Sequence, residues 1–150
     1  MTDVKVMNRK AARRFSYGDH TSTYAVISIN DTWDMPNSIV TNYPANGIKA
    51  VTHLFFDDVT EGDENCITKQ DAQKIAQFVH QWKDKVDCII VHCYAGISRS
   101  SGTAAAIAKY VLGDDSCIFD NPKYCPNMTC YKYVLAALTE YTVSTPNLSY

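Results

Sequence analysis

The chain has 150 residues, of which 46% are hydrophobic and 20% charged, with a formal net charge of −2 and a pI of about 6.0. That length suits one domain, residues 1–150, with a single core. The charge balance excludes recognition of nucleic acid or an anionic membrane through overall charge, so any anion site has to be local.

No apolar run approaches the ~20 residues needed to span a bilayer. MTDVKVMNRKAARR has no apolar segment behind its basic residues, so it does not read as a secretory signal. Its Lys5, Arg9, Lys10, Arg13 and Arg14 read as a solvated face. Six cysteines in a chain with this much apolar material point to a reducing cytoplasm rather than a disulfide framework. Cys125 and Cys130 lack a His or second Cys pair at zinc spacing, so no metal is implied.

In chain order, VKVMNRKAARRF reads as a strand running into a short loop, and TYAVISIND (residues 23–31) alternates like a strand. TWDMPNSIVTNYPANG is turn-rich. IKAVTHLFF (48–56) is a β-branched and aromatic strand that ends at Asp57-Asp58, followed by the polar loop VTEGDENC. Thr68 and Asp71 form a capping box for a helix whose Ala72, Ile75, Ala76, Val79 and Trp82 share one face. A strand over 86–92, a turn, a helix over about 100–112 closed by Gly113, and a last helix TCYKYVLAALTEY complete the chain. This alternation predicts an α/β fold, a mostly parallel central sheet flanked by helices on both faces. Ligands in such folds bind beyond the carboxyl ends of the strands, where both FFDD and HCYAGISRS fall.

HCYAGISRS (92–100) leaves an apolar strand and enters a helix through small residues. Successive N–H groups of such a turn, with the positive end of the helix dipole, favour an anion. A nucleotide-binding loop would need a Lys-Ser/Thr pair after its glycines, and GISRSSGT has none. Instead the turn opens with Cys93 and carries Arg99 six positions later. Arg meets a tetrahedral oxyanion with two parallel hydrogen bonds, and N–H donors around a cysteine favour its thiolate, the nucleophilic form. A lone cysteine at a strand end is ordinarily just a small buried residue. Joined to Gly96, Arg99 and an upstream carboxylate, Cys93 reads as a nucleophile.

His92-Cys93, five residues, then Arg99-Ser100 resembles the signature of the cysteine-dependent protein tyrosine phosphatases, most closely their dual-specificity branch and its small bacterial relatives. The likeness runs over about residues 48–112 and more loosely over CPNMTCYKYVLAAL. The resemblance implies a phosphomonoester hydrolase without metal or cofactor, acting on a phosphorylated protein or a small phosphomonoester. It implies that Cys93 attacks phosphorus, and that the backbone amides of Tyr94, Ala95, Gly96, Ile97, Ser98 and Arg99, with the Arg99 side chain, bind the phosphoryl oxygens. Ser100 would hydrogen-bond the thiolate, and His92 would hold the loop from outside. The family's general acid is an aspartate some thirty-odd residues upstream. Asp57 and Asp58 are both candidates, with Asp63 and Glu64 in reserve; the resemblance points to Asp58, 35 residues before Cys93. Side-chain alternation lets only one of the pair face the pocket.

A rhodanese-like sulfurtransferase or arsenate reductase would also place a cysteine-headed anion loop here, but would need neither the upstream Asp nor Ser100. A non-catalytic phosphate-binding module would usually lack the nucleophile, the arginine or the acid. Tyr94 either lines the substrate entrance or covers the loop. Asn127 reads as a turn residue, and Cys88 as a packed core thiol.

Overall fold

A computed structural model describes residues 2–34 and 46–144. Its four strands, β1 (Asp3–Asn8), β2 (Tyr24–Asn30), β3 (Ile48–Phe55) and β4 (Cys88–Cys93), form one sheet in the order β1-β4-β2-β3. Every pairing is parallel. Five helices accompany them: α1 (Arg9–Ser16), α2 (Lys69–Trp82), α3 (Arg99–Leu112), α4 (Ser116–Phe119) and α5 (Met128–Ser144). Among the described residues no helix is long and apolar enough to cross a membrane.

The central position of β4 explains its sequence. A strand covered on both faces reads as a continuous apolar run, and all six residues of CIIVHC are buried. The other central strand, β2, departs from the alternation expected of it, since everything from Ala25 to Asn30 is buried. Its polar Ser28 and Asn30 are buried because they bond within the sheet: Asn30 Nδ2 donates to Ser28 O at 3.1 Å and Leu54 O at 3.3 Å.

The main core lies on the face covered by α2, α3 and α5, where Ile27, Ile29, Leu54, Ile89 and Val91 meet Ile75, Val79, Ile107, Val134 and Leu138. The opposite face holds a smaller cluster of Val26, Ile48, Cys88 and Ile90, packed by Phe15 from α1. Helices thus cover both faces, unequally.

The expected loop after β1 is instead the helix α1. Asn8 ends the strand and caps the helix, its Oδ1 accepting the Ala11 N–H at 2.7 Å. The predicted box at α2 is present, with Thr68 Oγ1 accepting from Asp71 N–H at 3.1 Å and Asp71 Oδ2 from Thr68 N–H at 2.9 Å. Within the predicted α2 stripe Trp82 is half-buried, and Phe78 adds a buried member. The turn-rich stretch expected after β2 falls largely at residues 35–45, outside the described residues. Because all strands run the same way, the segments after Asn30, Phe55 and Cys93 emerge at one end of the sheet.

Candidate active site

Cys93 is the last residue of β4, and Arg99 the first of α3. The turn between them is tight enough to bring Gly96 N–H to 3.3 Å from Cys93 Sγ. Only glycine suits position 96: φ is +68°, and a Cβ would lie 2.7 Å from Asn8 N. Ser98 stands at the helix N-cap but makes no cap bond, because its hydroxyl donates to Asp58 Oδ1 at 2.8 Å. Ser100 Oγ lies 3.0 Å from Cys93 Sγ, in place to share a proton with the sulfur.

Arg99 is buried and uses one nitrogen for the protein. Nη1 donates to Asp31 Oδ1 at 2.7 Å and to Phe56 O at 2.9 Å. Its Nε is buried and has no partner among the described residues. A guanidinium held by one corner with Nε unspent is preorganised to take an oxyanion on its remaining edge.

The two neighbouring aspartates separate, although both lie in the loop beyond the end of β3 at Phe55. Asp58 turns toward the loop, where it also accepts from Asn127 Nδ2 at 3.0 Å. Asp57 turns away and accepts Thr32 N–H at 3.0 Å and Thr32 Oγ1 at 3.2 Å, tying two strand-end loops together. Of the reserve acids, Asp63 caps its own loop through Asn65 N–H at 2.9 Å. Glu64 is exposed, and neither lines the cavity beside Cys93. That cavity, about 340 Å³, is bounded by Cys93, Arg99, Asp58 and Asp31, with Tyr94, Ala95, Ile97 and Ser98 from the turn.

His92 lies beneath the loop with no exposed surface. Its Nε2 is 2.6 Å from Ser28 Oγ and its Nδ1 3.4 Å from Cys93 O. Burial drives its pKa down to about 4, so the ring is neutral at pH 7. Asn127 does more than form a turn. Its N–H donates to Ser98 O at 2.9 Å and its Nδ2 also reaches Val59 O at 3.1 Å, clamping the cysteine loop to the segment after β3. Gly102 makes room for it, since a Cβ there would lie 2.3 Å from Asn127 O.

Sequence reasoning missed three residues here. Asp31 follows β2 as Asp58 follows β3, and the same strand-end rule applied to β2 would have found it. Arg9, expected in a solvated face, instead pairs with Asp34, and its guanidinium carbon lies 5.2 Å from the Tyr94 ring centre. Arg9 holds the Asp34 carboxyl below its usual range, and Asp34 Oδ2 accepts Asp31 N–H at 2.9 Å. Lys10, Arg13 and Arg14 are exposed. Cys88 is a core thiol, raised by burial to about 12. It lies five residues down the same strand from Cys93, roughly 16 Å at about 3.3 Å per residue, too far for a disulfide. Among the described residues no group of three or more His, Cys, Asp or Glu side chains is placed to hold a metal ion.

No protein-family model and no curated protein matches the sequence. Solved structures do match. PTPMT1 in complex with PI(5)P is 18% identical with a TM-score of 0.57, covering 94% of this chain and 93% of that one. Tk-PTP in its active form is 16% identical with a TM-score of 0.57, covering 93% of each chain. A mouse putative dual specificity phosphatase complexed with zinc tungstate is 15% identical with a TM-score of 0.58, covering 93% and 86%. The chain therefore has the fold of the cysteine-dependent protein tyrosine phosphatase superfamily. Its α/β architecture, with a four-stranded parallel sheet, matches theirs.

Proposed function

We propose that the chain is a single-domain phosphomonoester hydrolase of the protein tyrosine or dual-specificity class, working through a phosphocysteine intermediate. One observation carries the reading: Cys93, the free edge of Arg99 and the Asp58 carboxylate border the same cavity. In the first step the Cys93 thiolate forms an S–P bond as the ester P–O bond breaks, and Asp58 passes its proton to the leaving oxygen. Arg99 and the amides of residues 94–99 hold the three phosphoryl oxygens as charge spreads over them. In the second step water attacks phosphorus, Asp58 takes the water's proton, and the S–P bond breaks with Ser100 stabilising the departing thiolate.

The turn 94–98 carries no lysine, which favours a phosphorylated protein over an inositol lipid such as the PI(5)P bound to PTPMT1. A thiolate that must stay reduced suits the cytoplasm. The test is hydrolysis of p-nitrophenyl phosphate in reductant and EDTA by wild type beside Cys93→Ser. Turnover that survives EDTA and is abolished by Cys93→Ser is expected. An inactive wild type that turns over thiosulfate or arsenate would replace this reading with a sulfurtransferase or reductase.

A further inference from the structure

Helix α1, RKAARRFS, carries the cations Arg9, Lys10, Arg13 and Arg14 and no acid. Arg9 turns toward Asp34 and the Tyr94 ring. Lys10, Arg13 and Arg14 are exposed, and with Tyr17 they stand at positions i, i+3, i+4 and i+7, which share one face of a helix. The opposite face is anchored. Ala12 and Ser16 are buried, and Phe15 packs on the smaller core cluster with the His20 ring stacked on it, ring centres 3.8 Å apart. The basic stripe is therefore held at a fixed place on the surface. One end of it adjoins the cysteine turn, where the Arg9 N–H donates to Tyr94 O at 3.1 Å and Asn8 packs against Gly96.

Local energetics do not call for such a stripe. Arg13 and Arg14 suit the negative end of the helix dipole, but Lys10 stands in the first turn, at the positive end, where an acid would be stabilising. Lys10 and Arg14 are also like charges four residues apart, and such pairs are destabilising. Neither has an acidic partner among the described residues. In a chain of net charge −2, a row of cations on one exposed helix face has its counter-charge outside the fold.

We infer that this face of α1 is a docking surface for an acidic segment of a partner protein. The inference goes beyond the proposed hydrolysis and does not depend on it. Size decides between the classes of anion. From Lys10 to Tyr17 the helix rises about 10 Å, which about three extended residues of a docked chain would span. A lipid-binding cluster has about 4–8 cations, and a nucleic-acid surface makes about 6–10 phosphate contacts. One short row suits neither. It suits a few carboxylates on an extended segment, with the Tyr17 ring, 72% exposed, against that segment's apolar side. A partner docked there lies beside the cysteine-loop cavity without entering it.

The experiment titrates a fluorescently labelled oligoglutamate peptide into wild type, Lys10→Gln/Arg14→Gln and Lys10→Glu/Arg14→Glu at low salt, reading anisotropy. Turnover of p-nitrophenyl phosphate and melting temperature are recorded in parallel. The glutamate variant should bind about tenfold more weakly than wild type and the glutamine variant should fall between them, with turnover unchanged and melting temperatures no lower. Added salt should weaken wild-type binding. Equal affinities in all three, or no binding by wild type, overturn the docking surface. So does competitive inhibition of turnover by the peptide, which seats it in the cavity. Tighter binding of an oligothymidylate or of phosphatidylserine vesicles than of the peptide overturns it in favour of a different polyanion. Weaker binding together with a lower melting temperature in the glutamine variant assigns the charges to the fold and overturns it as well. A wild type without turnover that still binds through Lys10 and Arg14 removes the hydrolase and leaves the docking surface standing.

Discussion

Arg99 Nη1 donates to Asp31 Oδ1 at 2.7 Å, joining the first turn of α3 to the loop after β2. The pair is largely buried, with side-chain exposures of 6% and 20%. Asp31 thus sets the angle at which the guanidinium enters the cavity, and it does so without claiming Nε. Asp31→Ala should lower kcat/KM about tenfold, because a charged hydrogen bond that orients the oxyanion-binding group is lost. Steady-state kinetics check this. Unchanged or raised activity would mean that the Asp31 charge chiefly repels the phosphate, and that Arg99 needs no such partner.

The separation of Asp57 from Asp58 makes two similar substitutions behave differently. Asp58→Asn should lower kcat by ~10²–10⁴-fold and flatten the high-pH fall of the rate profile, since the proposed proton donor is removed. Asp57→Asn should weaken the tie to Thr32, with its effect seen in thermal stability more than in the chemical step. The two pH-rate profiles decide the matter. A flattened profile in Asp57→Asn alone would reverse the assignment.

His92 predicts a dependence of stability on pH. Its folded pKa of about 4 lies below the ordinary histidine value of 6.5, so the unfolded chain binds the proton more readily between these limits. Stability from this residue is therefore whole above pH ~6.5 and drains away as the pH falls toward 4, amounting to roughly 3 kcal/mol for a fully buried ring. The half-buried His53 and His80, whose pKa values are also lowered by burial, act in the same direction. Urea unfolding across pH 4–8 should show a steeper acid loss in wild type than in His92→Gln. Parallel curves would show that His92 is protonated in the folded protein.

The candidate site was proposed from nine consecutive residues, 92–100. Cys93, Gly96 and Arg99 meet because a strand, a small-residue turn and a helix constrain one another locally, and local constraint is what sequence spacing records. The order of strands and helices was legible for a similar reason, since apolar periodicity reports which side of each element is covered. Two local expectations failed: the alternation of β2, which is buried from Ala25 to Asn30, and the loop after β1, where one residue, Asn8, both ends a strand and caps a helix.

What the sequence left open were the relationships between segments distant in the chain. Asp57 and Asp58 are equivalent as letters, and they differ only because β3 delivers one toward the cysteine loop and the other toward Thr32. The spacing of 68 residues between Asp31 and Arg99 has no periodicity to betray it, and the contact exists only because β2 pairs beside β4. Arg9 looked like one cation among five, and it became the brace of Tyr94 because β1 lies on the other side of β4 and ends where the turn begins. By itself the sequence determined the class of fold, and it proposed Cys93 as nucleophile and the turn after it as an anion loop. Which carboxylates and which aromatic ring surround that loop was decided by the parallel pairing of strands, which brings the ends of four separate segments to one end of the sheet.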